Sequence, residues 1–251
     1  MTPLEALVIA GSGLVAGTMN AAVGSGSLVT FPVLLALGYP PVIANISNGL
    51  GLLPGSVSGA FGYRRELAGQ RNRLLRLTAM TAIGSLVGAV LLLVLPPGAF
   101  EAIVPVLILL AVVLVVVQPW LARRLAARQV QRHEHGGPLL LLGIFGVGIY
   151  GGYFGASQGV ITLGLMGILL DEELQRLNAV KNVLTATAYL MSGIVFVFVA
   201  EVAWLVVALL ALGSVLGGQI GARVGRRLRP GLLRGLIVLV GVIAIVQLLA
   251  S

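Results

Sequence analysis

Apolar runs of about one bilayer thickness recur along the whole chain, at 42–62, 77–95, 99–117, 178–199, 202–222 and 233–250. A helix needs about 20 apolar residues to cross the hydrocarbon core of a membrane. Across the whole chain only 10% of residues are charged, against roughly 25% in a soluble domain. Too little charge remains to coat a water-facing surface, so the sequence specifies an all-α, polytopic integral membrane protein. Its 251 residues leave no room for a sizeable domain outside the bilayer. The formal charge of +8 is read as a positive-inside bias rather than as affinity for nucleic acid. With no cysteine, disulfides and thiolate metal sites are excluded.

Two further apolar stretches, 5–38 and 139–170, are too long for one crossing, and glycine interrupts both. Topology follows from arginine. Arg64, Arg65, Arg71, Arg73 and Arg76 form one cluster, and Arg123, Arg124, Arg128 and Arg132 a second. Arg223, Arg226, Arg227, Arg229 and Arg234 form a third. If all three face the cytoplasm, an even number of crossings separates the second from the third. Counting 139–170 as one span gives three. The stretch is therefore expected to split into two elements that return to their starting side, which also places Asp171–Arg176 with the basic loops.

The chain reads as a duplication. Gly84-Ser-Leu-Val-Gly88-Ala89 realigns on Gly217-Gly-Gln-Ile-Gly221-Ala222, and Pro97-Gly98 on Pro230-Gly231, at an offset of 133. Asn48 matches Asn182 at 134, and Gly17 and Gly24 match Gly152 and Gly159 at 135. The expected organisation is a first membrane repeat over 1–117, a basic cytoplasmic linker over 118–138 and a second repeat over 139–251. The loops favour inverted repeats, because basic 64–76 corresponds to unbasic 200–201. Glycine-broken segments at matching places in inverted repeats mark alternating-access transporters. The GxxxG pairs are read first as helix-packing surfaces.

The order Gly24-Ser-Gly26, Pro32, Ala44-Asn-Ile-Ser47-Asn48, Ser58-Gly-Ala60 and Tyr63-Arg-Arg65, closed in each half by GxxxGA and a distal Pro-Gly, resembles the TauE/SafE family of sulfite exporter-like membrane proteins. The likeness extends to Gly152, Gly155, Gly159 and Asn178-Ala-Val-Lys181-Asn182 in the second half. It implies transport of sulfite, sulfonates or similar sulfur-containing anions across a bacterial inner membrane. The sequence departs from the common family pattern at Ile46-Ser47 and Val180-Lys181, which bears on the substrate.

Helix ends at membrane depth offer backbone N–H groups and a positive dipole end to an anion. Gly24, Ser25, Gly26 and Ser27 supply one such break, and Gly155 to Gly159, with Ser157 and Gln158, the other. Lys181 is the sole lysine, lying roughly 12 Å into its helix. At that depth it either faces substrate or snorkels to the interface. Asn178 and Asn182 flank it, and Asn45, Ser47 and Asn48 occupy the corresponding place in the first half. A site between the repeats would bring both sets together. All eight carboxylates fall in loops or near span ends, so no mid-span proton relay is expected, and export of an anion needs none. His133 and His135 read as solvated loop residues rather than a metal pair, Trp120 and Trp204 as interfacial anchors, and no cofactor motif is present. The expected partners are the lipid bilayer and a small anion, and a homodimer is compatible with the sequence. Two rival readings are an anion channel and an intramembrane hydrolase with a Ser47–Lys181 dyad.

Overall fold

The computed structural model describes residues 1–126 and 137–224. These form α1 (Pro3–Ala22), α2 (Ser27–Ala36), α3 (Pro41–Gly62), α4 (Arg71–Val94), α5 (Pro97–Ala126), α6 (Pro138–Tyr153), α7 (Gln158–Leu169), α8 (Leu174–Val199) and α9 (Trp204–Val224), with no strand among the described residues. The expected span 233–250, His133, His135 and the arginines at 128, 132 and 226–234 lie outside them. Helices α1, α4, α8 and α9 are each long and apolar enough to cross a membrane. Helix α3 has the length, but Asn45, Ser47, Asn48 and its glycines lower its hydropathy. Leu7, Val94, Val106, Leu142, Phe198 and Leu212 stand exposed, as lipid-facing side chains should.

Both long apolar stretches are broken pairs, and both break in the same way. In α1 the N–H groups of Val23 and Gly24 bond to the Met19 carbonyl at 2.7 and 3.0 Å. In α6 those of Phe154 and Gly155 bond to the Tyr150 carbonyl at 2.9 and 3.0 Å. Gly24 and Gly155 then take φ of +90° and +77°, a conformation glycine adopts without penalty. The chain turns, and α2 and α7 lead back.

The two breaks pair differently from the match seen in the sequence. By conformation Gly24 pairs with Gly155, one helical turn before Gly159, its partner in the sequence match. Helix packing follows the same pairing. Gly217 and Gly221 pack on the carbonyls of Leu14 and Thr18 of α1, while Gly84 and Gly88 pack on those of Phe145 and Ile149 of α6. Gly17 meets the Ser214 carbonyl, as Gly148 meets that of Thr81. Each broken pair therefore packs through its longer helix, in parallel, on a helix from the other half of the chain.

Helices α3 and α8 cross antiparallel at the centre: Gly49 lies on Tyr189, and Gly59 faces Asn182. The basic α3–α4 connection and the α7–α8 connection share one face, where Arg73 pairs with Glu172 at 2.8 Å. That is the arrangement the split of 139–170 requires. Helices α1 and α6 run parallel to α9 and α4, which themselves run in opposite directions, so the two broken pairs enter from opposite faces.

A side chain at Gly152 would meet the Ser85 backbone, whereas one at exposed Gly146 meets nothing within 4 Å. Gly152→Val is expected to cost about 1–3 kcal/mol or more and to lower the melting temperature of the purified protein clearly, while Gly146→Val leaves it within a degree or two.

Candidate functional site

Four helix ends meet inside the bundle, and they are treated unequally. A helix end leaves backbone groups without intrahelical partners, and its dipole places partial negative charge at the C-terminus and positive charge at the N-terminus. The C-terminal ends are capped. Lys181 Nζ donates to the carbonyls of Asn20 at 2.7 Å and Ala21 at 3.2 Å. Asn178 and Asn182 each donate to Ala21 as well, at 3.2 Å. At the end of α6, Asn45 donates to the Tyr153 carbonyl at 3.0 Å.

The N-terminal ends of α2 and α7 have no such partners. Neither Gly26 nor Ser157, the residues before these helices, makes a side-chain cap. The N–H groups of Ser25, Gly26 and Ser27, and of Ala156, Ser157 and Gly159, have no backbone acceptor among the described residues. Ser25 Oγ and Ser157 Oγ are buried and bond to nothing. Ser157 is also held at φ +58°, the sole positive-φ residue other than glycine among those described. The two breaks touch directly. A side chain at Gly24 would strike the backbone of Gly159, and the Lys181 stem lies against Gly159.

The structure thus brings Gly24, Ser25, Gly26, Ser27, Ser157, Gln158, Gly159 and Lys181 to one junction. Ser27 Oγ is 2.8 Å from Tyr189 Oη, and the Gln158 amide packs on Gly151 with its oxygen unpartnered. Lys181 is fully buried, its ammonium held on α1 rather than lifted to the interface. The expected meeting of Ser47 and Asn48 with Lys181 and Asn182 does not occur, because α3 and α8 are antiparallel. Ser47 instead accepts from the N–H of Ala203, beyond the far end of α8. Lys181 precedes that end, Val199, by 18 residues, roughly 27 Å along the helix, which removes a Ser47–Lys181 dyad. Asn48 accepts from Thr30 of α2.

A family model described as sulfite exporter TauE/SafE matches residues 9–248. The chain belongs to the TauE/SafE family. Relatives at 27–28% identity are described as probable membrane transporter proteins. A probable membrane transporter protein, YfcA, of Escherichia coli K12 is 28% identical over 250 residues, covering 99% of this chain and 91% of that protein. A probable membrane transporter protein of Haemophilus influenzae is 28% identical over 204 residues, 81% of this chain and 78% of the relative. Another from a Sinorhizobium species is 27% identical over 245 residues, 94% and 89% of the two chains. No solved structure matches. This TauE/SafE chain is therefore a multi-pass membrane protein of a transporter family.

Sequence reasoning missed Tyr189, Asn20 and Thr30, which are single residues without motif, and it missed an ion-pair cluster at the basic face. There the Glu172 carboxylate accepts from Arg73 of α4 and Arg176 of α8, both at 2.8 Å. Arg176 also donates to the Ala68 carbonyl, and Gln70 donates to the Arg176 carbonyl. Burial alone would raise the Glu172 pKa. Hydrogen bonds from Arg73 and Arg176, the Arg176 charge and the Glu173 N–H together outweigh it and hold the carboxyl below its ordinary range.

A depressed folded pKa contributes stability at pH above the unfolded value, about 4.3 for glutamate. That contribution is lost as pH falls through the lower folded value. Glu172→Gln is therefore expected to lower the melting temperature at pH 7, with the gap from wild type closing in acid. A gap independent of pH contradicts this. Lys181→Met, which strips the α1 carbonyls of their charged donor, is expected to cost about 1.5–3 kcal/mol in thermal unfolding.

Proposed function

We propose that this protein is a secondary transporter that exports a small sulfur-containing anion, such as sulfite or a sulfonate, across the bacterial inner membrane by alternating access. The observation that carries the reading is the unequal treatment of the helix ends at the junction. Lysine and asparagine side chains neutralise the negative ends, while the positive ends of α2 and α7 stay open beside two unpartnered serine hydroxyls. The net field there favours an anion, and the free donors suit its oxygens. In this reading the backbone of Ser25–Ser27 and Ser157–Gly159 and the hydroxyls of Ser25 and Ser157 bind the anion. Lys181, Asn178 and Asn182 act through the end of α1 that they hold, and Asn45 through α6.

The two broken pairs are read as equivalent parts of inverted repeats that rock against each other, with the basic connections on the cytoplasmic side. The direct contact of Gly24 with Gly159 favours a carrier over an open channel. Expelling a monoanion from a negative interior gains about 2.3 kcal/mol per 100 mV, so export needs no coupled ion.

Ser157 supplies a test that separates binding from folding. Glycine at this position relieves the left-handed backbone and removes the hydroxyl. Ser157→Gly is expected to hold or raise the melting temperature without ligand. The thermal shift produced by sulfite, sulfate, thiosulfate or small sulfonates should weaken about tenfold in apparent affinity, the equivalent of one lost hydrogen bond to a charge. A wild type shifted by none of these anions overturns the reading. A shift unchanged in Ser157→Gly removes this hydroxyl from the site.

A further inference from the structure

We propose that Arg73, Glu172 and Arg176 form the gate of the transport path on the basic face, with the Glu172 carboxylate standing where a small oxyanion binds when the gate opens. The inference rests on the anion-transport reading for its ligand and on separate geometry for its gate. Arg73, near the start of α4, is 99 residues from Glu172 in the α7–α8 connection, and Arg176 follows Glu172 by four residues in the first turn of α8. Each carboxylate oxygen takes one guanidinium, Oε2 that of Arg73 and Oε1 that of Arg176. The bond from Arg176 to Ala68 and the bond from Gln70 to Arg176 tie the α3–α4 connection to the first turn of α8, while Arg73, bonded to Gln70 at 2.7 Å, carries that tie on to Glu172 in the α7–α8 connection.

What this latch holds is α7. Its twelve residues span about 18 Å, from the gate at one end to the open N-terminus at the junction at the other. Releasing Glu172 removes a charged tie at the outer end of a rod whose inner end forms half of the proposed anion site. The chemistry of the latch is also that of the ligand. A guanidinium pair recognises the oxygens of a carboxylate and of a sulfonate or sulfite with the same planar donor geometry. Glu172 and Arg176 keep 18% and 29% of their side-chain surface exposed, so an anion arriving at this face can compete for the arginines. In doing so it displaces the carboxylate that closes the path.

The absence of cysteine permits a direct test. With Ser157→Cys as sole thiol, in vesicles whose basic face is outward, a membrane-impermeant maleimide should label the junction slowly. Adding Glu172→Gln should raise the rate at least tenfold, Glu172→Asp should give an intermediate rate in a more conservative variant, and Arg73→Gln on top of Glu172→Gln should add little. Unchanged labelling in Glu172→Gln and Glu172→Asp overturns the gate. The ligand is tested with ethanesulfonate in the Ser157→Gly background. Glu172→Gln should enlarge the thermal shift by uncovering the arginines, and Arg176→Gln should abolish that gain. Faster labelling without such a gain overturns the place of Glu172 as an oxyanion stand-in. Failure of the transport reading itself looks different, since then no anion shifts the wild type either.

Discussion

Breaking a helix inside a bilayer exposes backbone groups where no lipid can hydrogen-bond them, and the fold is organised around that cost. Regular helices satisfy their backbone internally, and irregular backbone at membrane depth persists only where protein or a polar cavity receives it. Two helices end and two begin at the junction. The ends that carry carbonyls are met by Lys181, Asn178 and Asn182 on α8 and by Asn45 on α3. Those partners explain why the two central helices bear amides and a lysine in otherwise apolar sequence. The starts of α2 and α7 are left with N–H groups and the hydroxyls of Ser25 and Ser157, and the proposed anion is the partner that completes them.

Close approach is the second requirement. For two broken pairs from opposite faces to touch, the helices that carry them must sit deep against their neighbours. Gly17 and Gly148, with Gly84, Gly88, Gly217 and Gly221, let backbones approach to carbonyl contact. Such packing matters more in lipid than in water, because apolar burial between helices supplies little driving force there. Each broken pair is held mainly by the other half of the chain, so a relative movement of the halves is transmitted to the junction.

Much of this was legible in the sequence. The parity of arginine-rich connections required 139–170 to fold back, and Arg73 and Glu172 do share a face. The glycine interruptions located both breaks. The pairing of the two breaks was not fixed, for a physical reason: small residues spaced four apart allow a match to slip by one helical turn with little loss of similarity. Only the positive φ of Gly24 and Gly155 decided it. The burial of Lys181 followed from its depth, but not the atoms its ammonium touches, since those depend on where α1 ends. Ser47 was grouped with Lys181 through sequence symmetry, which carries no information on whether the two helices run parallel or antiparallel. The ion-pair cluster brings Arg73 to Glu172, 99 positions away, with no pattern to link them; only its Glu172–Arg176 pair, at i,i+4 spacing, is local.

The central claim is that an anion sits between the starts of α2 and α7. A structure determined with selenite, a heavier analogue of sulfite, tests this most directly through the anomalous signal of selenium. A peak is expected within hydrogen-bonding reach of the Ser25 and Ser157 hydroxyls and the N–H groups of Gly26 and Gly159, with Lys181 still bonded to the end of α1. A selenium site elsewhere in the bundle, or Lys181 released from Asn20 and Ala21 to contact the anion itself, would contradict it.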